Sequence, residues 1–381
     1  MTGIADLTRN AVHVLPEGAL EEKLRLGRPL RIKLGIDPTG PDIHVGFAVV
    51  LRRLAAFQRA GHVAVLIVGD YTARIGDPSG RSKERRVLPD DVLDGNAELF
   101  AEQAYRILDR ERTELRFNGE WLGKLDYAEL VRLTRVGTVA QLLERDDFGK
   151  RIARNEPISV SELLYPFAQG YDSVAVEADV EVGGTDQLYN LLMGRDVMQT
   201  YVLEPQAVMT FELLVGTDGV DKMSKSQGNY VGIDEAPEEQ FGKVMSIPDS
   251  ALDQWWRLCL DGEAPGGDAM ESKLALARGI VELYHGPDAA VTAESHFTRV
   301  VREGKAPAEV DVAPLPDGDP IHLPALLAGL FGMSTSDARR LVAQGAVRVA
   351  DEPMYELDVP RARLAGVVLQ AGKRRFVRLS G

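Results

Sequence analysis

Between residues 31 and 70 an apolar run, a helix-period segment and a second apolar run follow one another without a break, and few folds accommodate that order. "RIKLGI" (31–36) predicts a short buried strand and "AVLIVGD" (64–70) another. Between them "HVGFAVVLRRLAAFQRAG" carries apolar residues at helical spacing and stops at Gly61. Two strands joined through a helix cannot form a hairpin, so the unit predicts a parallel sheet with right-handed crossovers. A doubly wound α/β sheet of this kind places ligands beyond the carboxyl ends of its strands. The polar loops at 37–43 and 70–83 fall at those ends.

At 381 residues the chain is too long for one core, and two or three domains are expected. The α/β pattern fills 1–233. From 234 to 303 the pattern is helical, as in "EAPEEQFGKVMSI" and "AMESKLALARGIVELYHG". A stretch with four prolines in eighteen residues follows, and 304–320 reads as a linker. In 321–381, "LPALLAGLFG" and "STSDARRLVAQG" predict two short helices, the second opened by a Ser/Thr cap, and "AVRVADEPM" and "KRRFVRL" predict strands.

With 45% hydrophobic and 27% charged residues the composition is that of a folded globular protein. No apolar run approaches the roughly 18 residues that span a bilayer. The first residues lack a basic start followed by an apolar block, so no secretory signal is read there. Cys259 is the single cysteine, which excludes internal disulfides and a cysteine-based metal site, and the six histidines lack paired metal spacing. A reducing, cytoplasmic setting without membrane contact is expected. The net charge of −14 speaks at first against a nucleic-acid partner. The charge is uneven, however: from residue 323 onward nine Lys or Arg face five Asp or Glu. Only this tail has the electrostatics that a phosphate backbone favours.

Five segments carry candidate chemistry. "DPTGPDIHVGF" is a polar loop running into a helix, whose free backbone N–H groups suit a phosphate, with Thr39 and His44 as added donors. "GDYTARIGDPSGRSKER" holds two Asp turns and then the basic run Arg81, Lys83, Arg85 and Arg86; Asp77 reads as a turn residue, yet on the sheet edge where His44 lies. "LLYPFAQGYD" sets Tyr165, Gln169 and Asp172 at spacings of four and three, one helical face. That face is either plain surface or, if buried, a set of partners for a polar ligand. "EVGGTDQLYN" offers Gly183 and Gly184 for close backbone approach, with Asp186 and Gln187 suited to hydroxyl or amine groups. "DKMSKSQGNY" (221–230) spaces Lys222 and Lys225 three apart among small residues, a solvated turn or else two movable ammonium groups. No Ser or Cys stands beside a plausible base, and the Gly-x-x-x-x-Gly-Lys-Ser/Thr loop is absent. The set suggests phosphate chemistry run by positioning and charge stabilisation.

In this order and spacing, "KLGIDPTGPDIHVG", "IGDPSG", "YPFAQGYD", "EVGGTDQ" and "DGVDKMSKSQGNYVGI" resemble the class I aminoacyl-tRNA synthetases, and among them the tyrosyl-tRNA synthetases. The resemblance is spread over most of the first 235 residues, and the closing segment is similar to S4-type RNA-binding modules. It implies a Rossmann-like catalytic domain, a helical domain and a small α+β S4-like module. It further implies ATP-dependent charging of tRNA(Tyr) with L-tyrosine through an adenylate, with Mg2+ accompanying ATP, no tightly bound protein metal, and a homodimer. By the same resemblance Thr39 and His44 hold the ATP phosphates, and Lys222 and Lys225 meet the departing pyrophosphate. Asp77, Tyr165 and Gln169 match contacts to the α-amino group of tyrosine, and Asp172 matches the acceptor of its phenol. Gly184, Asp186 and Gln187 match contacts near the ribose and substrate, while Gly35, Asp37, Gly46 and Met223 fall on the ATP side.

Two positions depart from the better-known pattern. Lys33 stands where the most familiar members have a tyrosine that shares the phenol contact; a second bacterial branch reads Lys-Leu-Gly-x-Asp-Pro there, as here. Lys33 is therefore carried as a candidate substrate contact. Phe47 replaces a second histidine or other polar group and is expected either in the core or against the nucleotide. The rival readings are the sibling tryptophanyl-tRNA synthetases and a non-catalytic RNA-binding paralogue. Intact Lys222, Lys225, Asp77 and Asp172 speak against the second.

Overall fold

The computed structural model of the chain describes residues 3–40, 42–79, 88–307, 310–372 and 375–381. The basic run Arg81, Lys83, Arg85 and Arg86 lies outside the described residues. The chain forms two compact units, one of residues 1–236 and 243–276, the other of 237–242 and 277–381.

The first unit is built on a six-stranded sheet. Its strands are β1 (Ala11–Leu15), β2 (Arg31–Ile36), β3 (Val63–Val68), β4 (Thr113–Phe117), β5 (Val180–Gly184) and β6 (Ala207–Phe211), in the spatial order β1-β6-β5-β2-β3-β4. β2 through β6 pair in parallel, as the strand, helix, strand pattern requires. The sheet as a whole is mixed, because β1 runs antiparallel to β6 at one edge. That strand was not read from the sequence: its pattern is half-exposed and carries His13 in mid-run. β3, β5 and β6 are buried almost end to end, and β3 accordingly reads as a continuous apolar run rather than an alternating one.

The winding order fixes where a crevice opens. From β2 the chain moves one way to β3 and β4, then returns to place β5 and β6 on the other side of β2. β2 and β5 pair only at Ile32↔Val180 and Lys33↔Glu181, and diverge beyond those residues. Sidedness therefore switches between these two strands, at their carboxyl ends.

Two helices frame the crevice. Val45–Arg59 begins at His44, whose side chain accepts the Phe47 N–H as an N-cap, and ends before Gly61, where φ is +96°. Val160–Ala175 starts from a capping box, Ser159 with Glu162, and packs closely on Leu188–Thr200. A Cβ on Gly170 would lie 2.8 Å from Val197 and 3.2 Å from the Gly194 Cα, so this helix crossing requires glycine.

The helical stretch 234–303 does not hold together as one body, since residues 243–276 group with the first unit and 277–303 with the second. Within the first unit, Arg52 and Arg53 of the Val45–Arg59 helix both reach Asp261 at the end of helix Leu252–Leu260, with Arg52 also donating to the Cys259 carbonyl.

In the second unit, β7 (Val312–Pro314), β8 (Ile321–His322), β9 (Val347–Val349), β10 (Glu352–Pro353), β11 (Asp358–Val359), β12 (Val368–Ala371) and β13 (Arg375–Ser380) follow in chain order. They form a five-stranded sheet, β10-β9-β12-β13-β7, and a β11-β8 pair. Helices Leu323–Phe331 and Thr335–Ala343 are the two expected, the second capped by Ser334 accepting the Asp337 N–H. Leu323, Leu327, Val342, Val347, Leu369 and Leu379 form a continuous buried core. The expected linker is partly structured: β7 pairs in parallel with β13, and Leu315 enters the core. Its prolines hid the strand, and an edge position is where a sheet tolerates them. Among the described residues no helix is long and apolar enough to cross a membrane.

Candidate active site

A cavity of about 390 Å³ opens at the carboxyl ends of the strands, where β2 and β5 part. The end of β2 supplies Gly35, Asp37 and Thr39 to its wall. Asp37 accepts hydrogen bonds from Thr72 Oγ1 at 2.7 Å and Tyr165 Oη at 3.1 Å, tying the loops after β2 and β3 to the long helix. Gly69 makes this possible, because a Cβ there would come 2.3 Å from both Asp37 Oδ1 and Thr72 Oγ1.

One side of the cavity is cationic. His44, Gly46 and Phe47 line it at a helix N-terminus, and Lys222, Met223 and Lys225 line it from the loop after β6. His44 is buried and its ring stacks on Phe47, centroids 4.3 Å apart and planes 26° apart. Burial, then Lys225 and Lys222, push the imidazole down to about 3, so it is neutral at physiological pH. With Nδ1 accepting the Phe47 N–H, the remaining proton sits on Nε2, a neutral donor for a phosphate oxygen.

The lysine loop is held both by neighbouring elements and by bonds within its own segment. The Gly46 N–H reaches Met223 Sδ at 3.4 Å, and Lys222 pairs with Asp186 at 2.9 Å. Asn229 accepts the Ser224 N–H at 2.8 Å and donates to Asp218 Oδ2 at 2.6 Å. Lys225 lies along Gly40, where a Cβ would meet its Cδ and Nζ at 2.9 Å. Burial lowers the Lys225 ammonium to about 8, partly opposed by Asp42.

The opposite side is a set of acceptors. Asp172 is buried and receives Trp121 Nε1 at 2.8 Å and Asn118 Nδ2 at 3.2 Å. Burial pushes its carboxyl up to about 7, against the opposing pull of Lys33, Trp121 and Asn118. Gln169 Oε1 is buried and has no hydrogen-bond partner among the described residues, an acceptor awaiting a donor. Asp77 accepts the Ser79 N–H at 2.9 Å, its turn role, and Gln187 Nε2 at 2.8 Å, which aims it at the cavity. Gly183 and Gly184 line the wall at the end of β5, and Asp186 stands above them.

The structure thus gathers into one cavity every site residue expected from the sequence except Lys33. Lys33 corrects the expectation of a direct substrate contact. It is absent from the lining because its ammonium turns below the floor to Glu181 at 2.8 Å. Phe47 fits neither expected place cleanly: it is half-buried, lines the cavity, and carries the His44 ring, with Phe100 edge-on at 6.3 Å.

Sequence reading missed a second layer. Asn118 and Trp121, just after β4, belong to no motif, yet both hold Asp172. Arg145 donates to Asn190 at 2.7 Å and to Ser79 at 3.1 Å, and Asn190 donates to Gln187 at 3.0 Å, so a buried chain of bonds steadies Asp77. A position after a parallel strand was the only available signal for Asn118. For Arg145 there was none. Among the described residues no three His, Cys, Asp or Glu gather to hold a metal ion.

Residues 25–296 match the profile of the family described as tRNA synthetases class I (W and Y). The chain is 46% identical to the tyrosine–tRNA ligase of Moorella thermoacetica, covering 98% of this chain and 94% of that protein. It is 44% identical to that of Thermotoga maritima over 98% and 96% of the two chains. The chain belongs to the tyrosyl-tRNA synthetase family. Solved structures agree at the level of fold. A C-terminally truncated mitochondrial tyrosyl-tRNA synthetase from Aspergillus nidulans superposes with a TM-score of 0.61 at 22% identity, covering 77% of this chain and 93% of that one. The Archaeoglobus fulgidus tyrosyl-tRNA synthetase gives 0.63 at 21% identity, covering 76% and 97%. The mixed, mainly parallel sheet is accordingly the Rossmann-like domain of this class.

The His44–Phe47 stack leads to an expected result in such a synthetase. Phe47→Ala removes the surface that holds the neutral imidazole, while costing about 1–3 kcal/mol because the ring is only half-buried. ATP–pyrophosphate exchange should fall more steeply than melting temperature, chiefly through KM for ATP. A variant that loses only stability would place Phe47 in the core alone.

Proposed function

We propose that the chain is a tyrosine–tRNA ligase that activates L-tyrosine with ATP and passes it to the 3' end of tRNA(Tyr). The observation that carries this is the polarised cavity: acceptors Asp172, Gln169 and Asp77 on one side, His44, Lys222 and Lys225 on the other. Tyrosine's phenol and ammonium are donors and match the first side; ATP's phosphates are acceptors and match the second. In this reading Asp172 takes the phenol proton's hydrogen bond, while Asp77, Gln169 and Tyr165 take the α-amino group. The tyrosine carboxylate is then directed at the α-phosphate. Bond formation there displaces pyrophosphate, whose developing charge Lys222 and Lys225 offset while Thr39 and the neutral His44 donate hydrogen bonds to its oxygens. Gly35, Asp37, Gly46, Gly184, Asp186, Gln187 and Met223 shape the adenylate's bed. Mg2+ enters with ATP as part of the substrate.

Tyrosine-dependent ATP–pyrophosphate exchange tests the proposal directly. Exchange with tryptophan in place of tyrosine would move the chain to the sibling branch, and no exchange with either would mark a non-catalytic paralogue. A homodimer belongs to the same proposal on family grounds, and light scattering of the purified chain tests it.

We assign tRNA binding to the segment after the helices, as an S4-like module. Support comes from its separate core and its excess of Arg and Lys over acidic residues. Because β7 and Leu315 belong to that core, a truncation that removes the whole of it ends at Lys305 rather than at residue 320. The truncated chain should keep pyrophosphate exchange and lose most tRNA charging, read by parallel exchange and aminoacylation assays. Loss of exchange in a folded truncation would tie the segment to catalysis instead.

A further inference from the structure

Lys33 is 0% exposed, and three acceptors surround its ammonium: Ser173 Oγ at 2.7 Å, Glu181 Oε1 at 2.8 Å and the Gln169 carbonyl at 2.9 Å. An ammonium has three N–H donors, so all are engaged and none remains for a ligand. Glu181 is equally enclosed. Its Oε2 accepts from Ser173 Oγ and from Gln206 Nε2, both at 2.8 Å. The two residues are direct partners across β2 and β5, the last pair before the strands diverge into the cavity. A charged pair so deeply buried gains little for stability by itself, since desolvation offsets its attraction. Its position beneath the amino-acid end suggests another role.

We infer, on the basis of the tyrosine reading above, that Lys33 and Glu181 are a buried positioning pair that governs tyrosine selectivity from beneath the cavity floor. Lys33 fixes Gln169 and balances the charge of Asp172 without touching the amino acid. The first part is geometric. Lys33 holds the Gln169 carbonyl, and Gln169 Nε2 leans on Glu181 Oε1 at 3.4 Å, which leaves Gln169 Oε1 as the unpartnered acceptor. The second part is electrostatic. Among the described residues Lys33 from β2 and Glu181 from β5 are the charges that bear on Asp172, and Asn118 and Trp121 from the β4 side add neutral donors. Lys33 favours the Asp172 carboxylate and Glu181 opposes it. Loss of the lysine therefore favours a neutral carboxyl, and loss of Glu181 alone favours the charged one.

This opposition gives a test that a merely structural pair cannot imitate. Tyrosine affinity and tyrosine KM in pyrophosphate exchange are measured from about pH 5 to 9 for the full-length wild type, Glu181→Gln and Lys33→Met/Glu181→Gln. Replacing both partners avoids stranding a buried charge. Wild-type affinity should fall on the acid side as Asp172 takes up a proton. The midpoint should move down in Glu181→Gln and up in the double variant, where loss of the larger Lys33 effect outweighs loss of the Glu181 effect. KM for ATP should stay near the wild-type value, and phenylalanine binding should follow pH in none of the three. Where only one of the two variants folds, the direction of its own shift decides. Midpoints that move together, or not at all, in folded variants overturn the inference. A wild type that exchanges pyrophosphate with tyrosine but has unmoved midpoints overturns it alone, whereas a wild type inert to tyrosine overturns the reading of function as well.

Discussion

Lys225→Ala should slow tyrosyl-adenylate formation by about 10²–10³-fold while tyrosine affinity stays nearly unchanged. Its ammonium lies against Gly40, while Asp172 and Gln169 are held by other partners, Trp121, Asn118 and Glu181. The charge it offsets is present mainly in the transition state, so its loss reads out in rate rather than binding. Burial that lowers the ammonium to about 8 adds a pH signature. In the free enzyme Lys225 is protonated below that value and neutral above it, so kcat/KM for ATP should decline as pH rises past about 8. Lys225→Arg, whose guanidinium keeps its proton, should move this alkaline limb upward even if its rate is lower. Stopped-flow adenylate formation and equilibrium tyrosine binding on the same samples check both points. Equal losses in rate and binding would mean that the lysine shapes the site and not the transition state.

Asp172→Asn and Asp172→Ala should erode discrimination between tyrosine and phenylalanine by about 5–150-fold in kcat/KM, the cost of leaving a buried polar group mismatched. The effect should come from a loss toward tyrosine, because phenylalanine offers Asp172 no hydrogen bond in either protein. Stability should move the other way. A carboxyl raised from 3.8 to about 7 by burial gives the fold an advantage that is full below pH 4 and lost as pH climbs through 7. Asp172→Asn removes that loss. Its melting temperature should therefore exceed the wild type's above pH 7 and change little across the window where the wild type declines. A less selective but more stable protein is the signature of a residue retained for function against stability. Unchanged discrimination in folded variants would mean that the phenol is read elsewhere in the cavity.

The same residues show what a linear reading could reach. Asp37, His44, Asp77, Gly184 and Asp186 were legible because each lies at the end of a strand or in the segment that leaves it, and a parallel sheet brings its strand ends to one edge whatever the details of packing. Tyr165, Gln169 and Asp172 were legible as one face because helical spacing is local. That this face looks into a cavity, and not into water, was not.

What the sequence determined by itself was the strand, helix, strand unit, the parallel pairing it imposes and the polar loops at the carboxyl edge of that sheet. Periodicity and turn chemistry act over a few residues and need no partner to be read. Tertiary structure alone decided which polar groups meet. Lys33 and Glu181 are 148 residues apart and pair because β5 returns beside β2, so the ammonium turns away from the ligand that its motif suggested. Asn118 and Trp121 reach Asp172 across 54 and 51 residues, and β7 finds β13 through prolines that mask it. Each of these outcomes rests on one rule: a buried polar group takes whichever partner the packed chain brings within hydrogen-bond reach, and only the fold sets that distance.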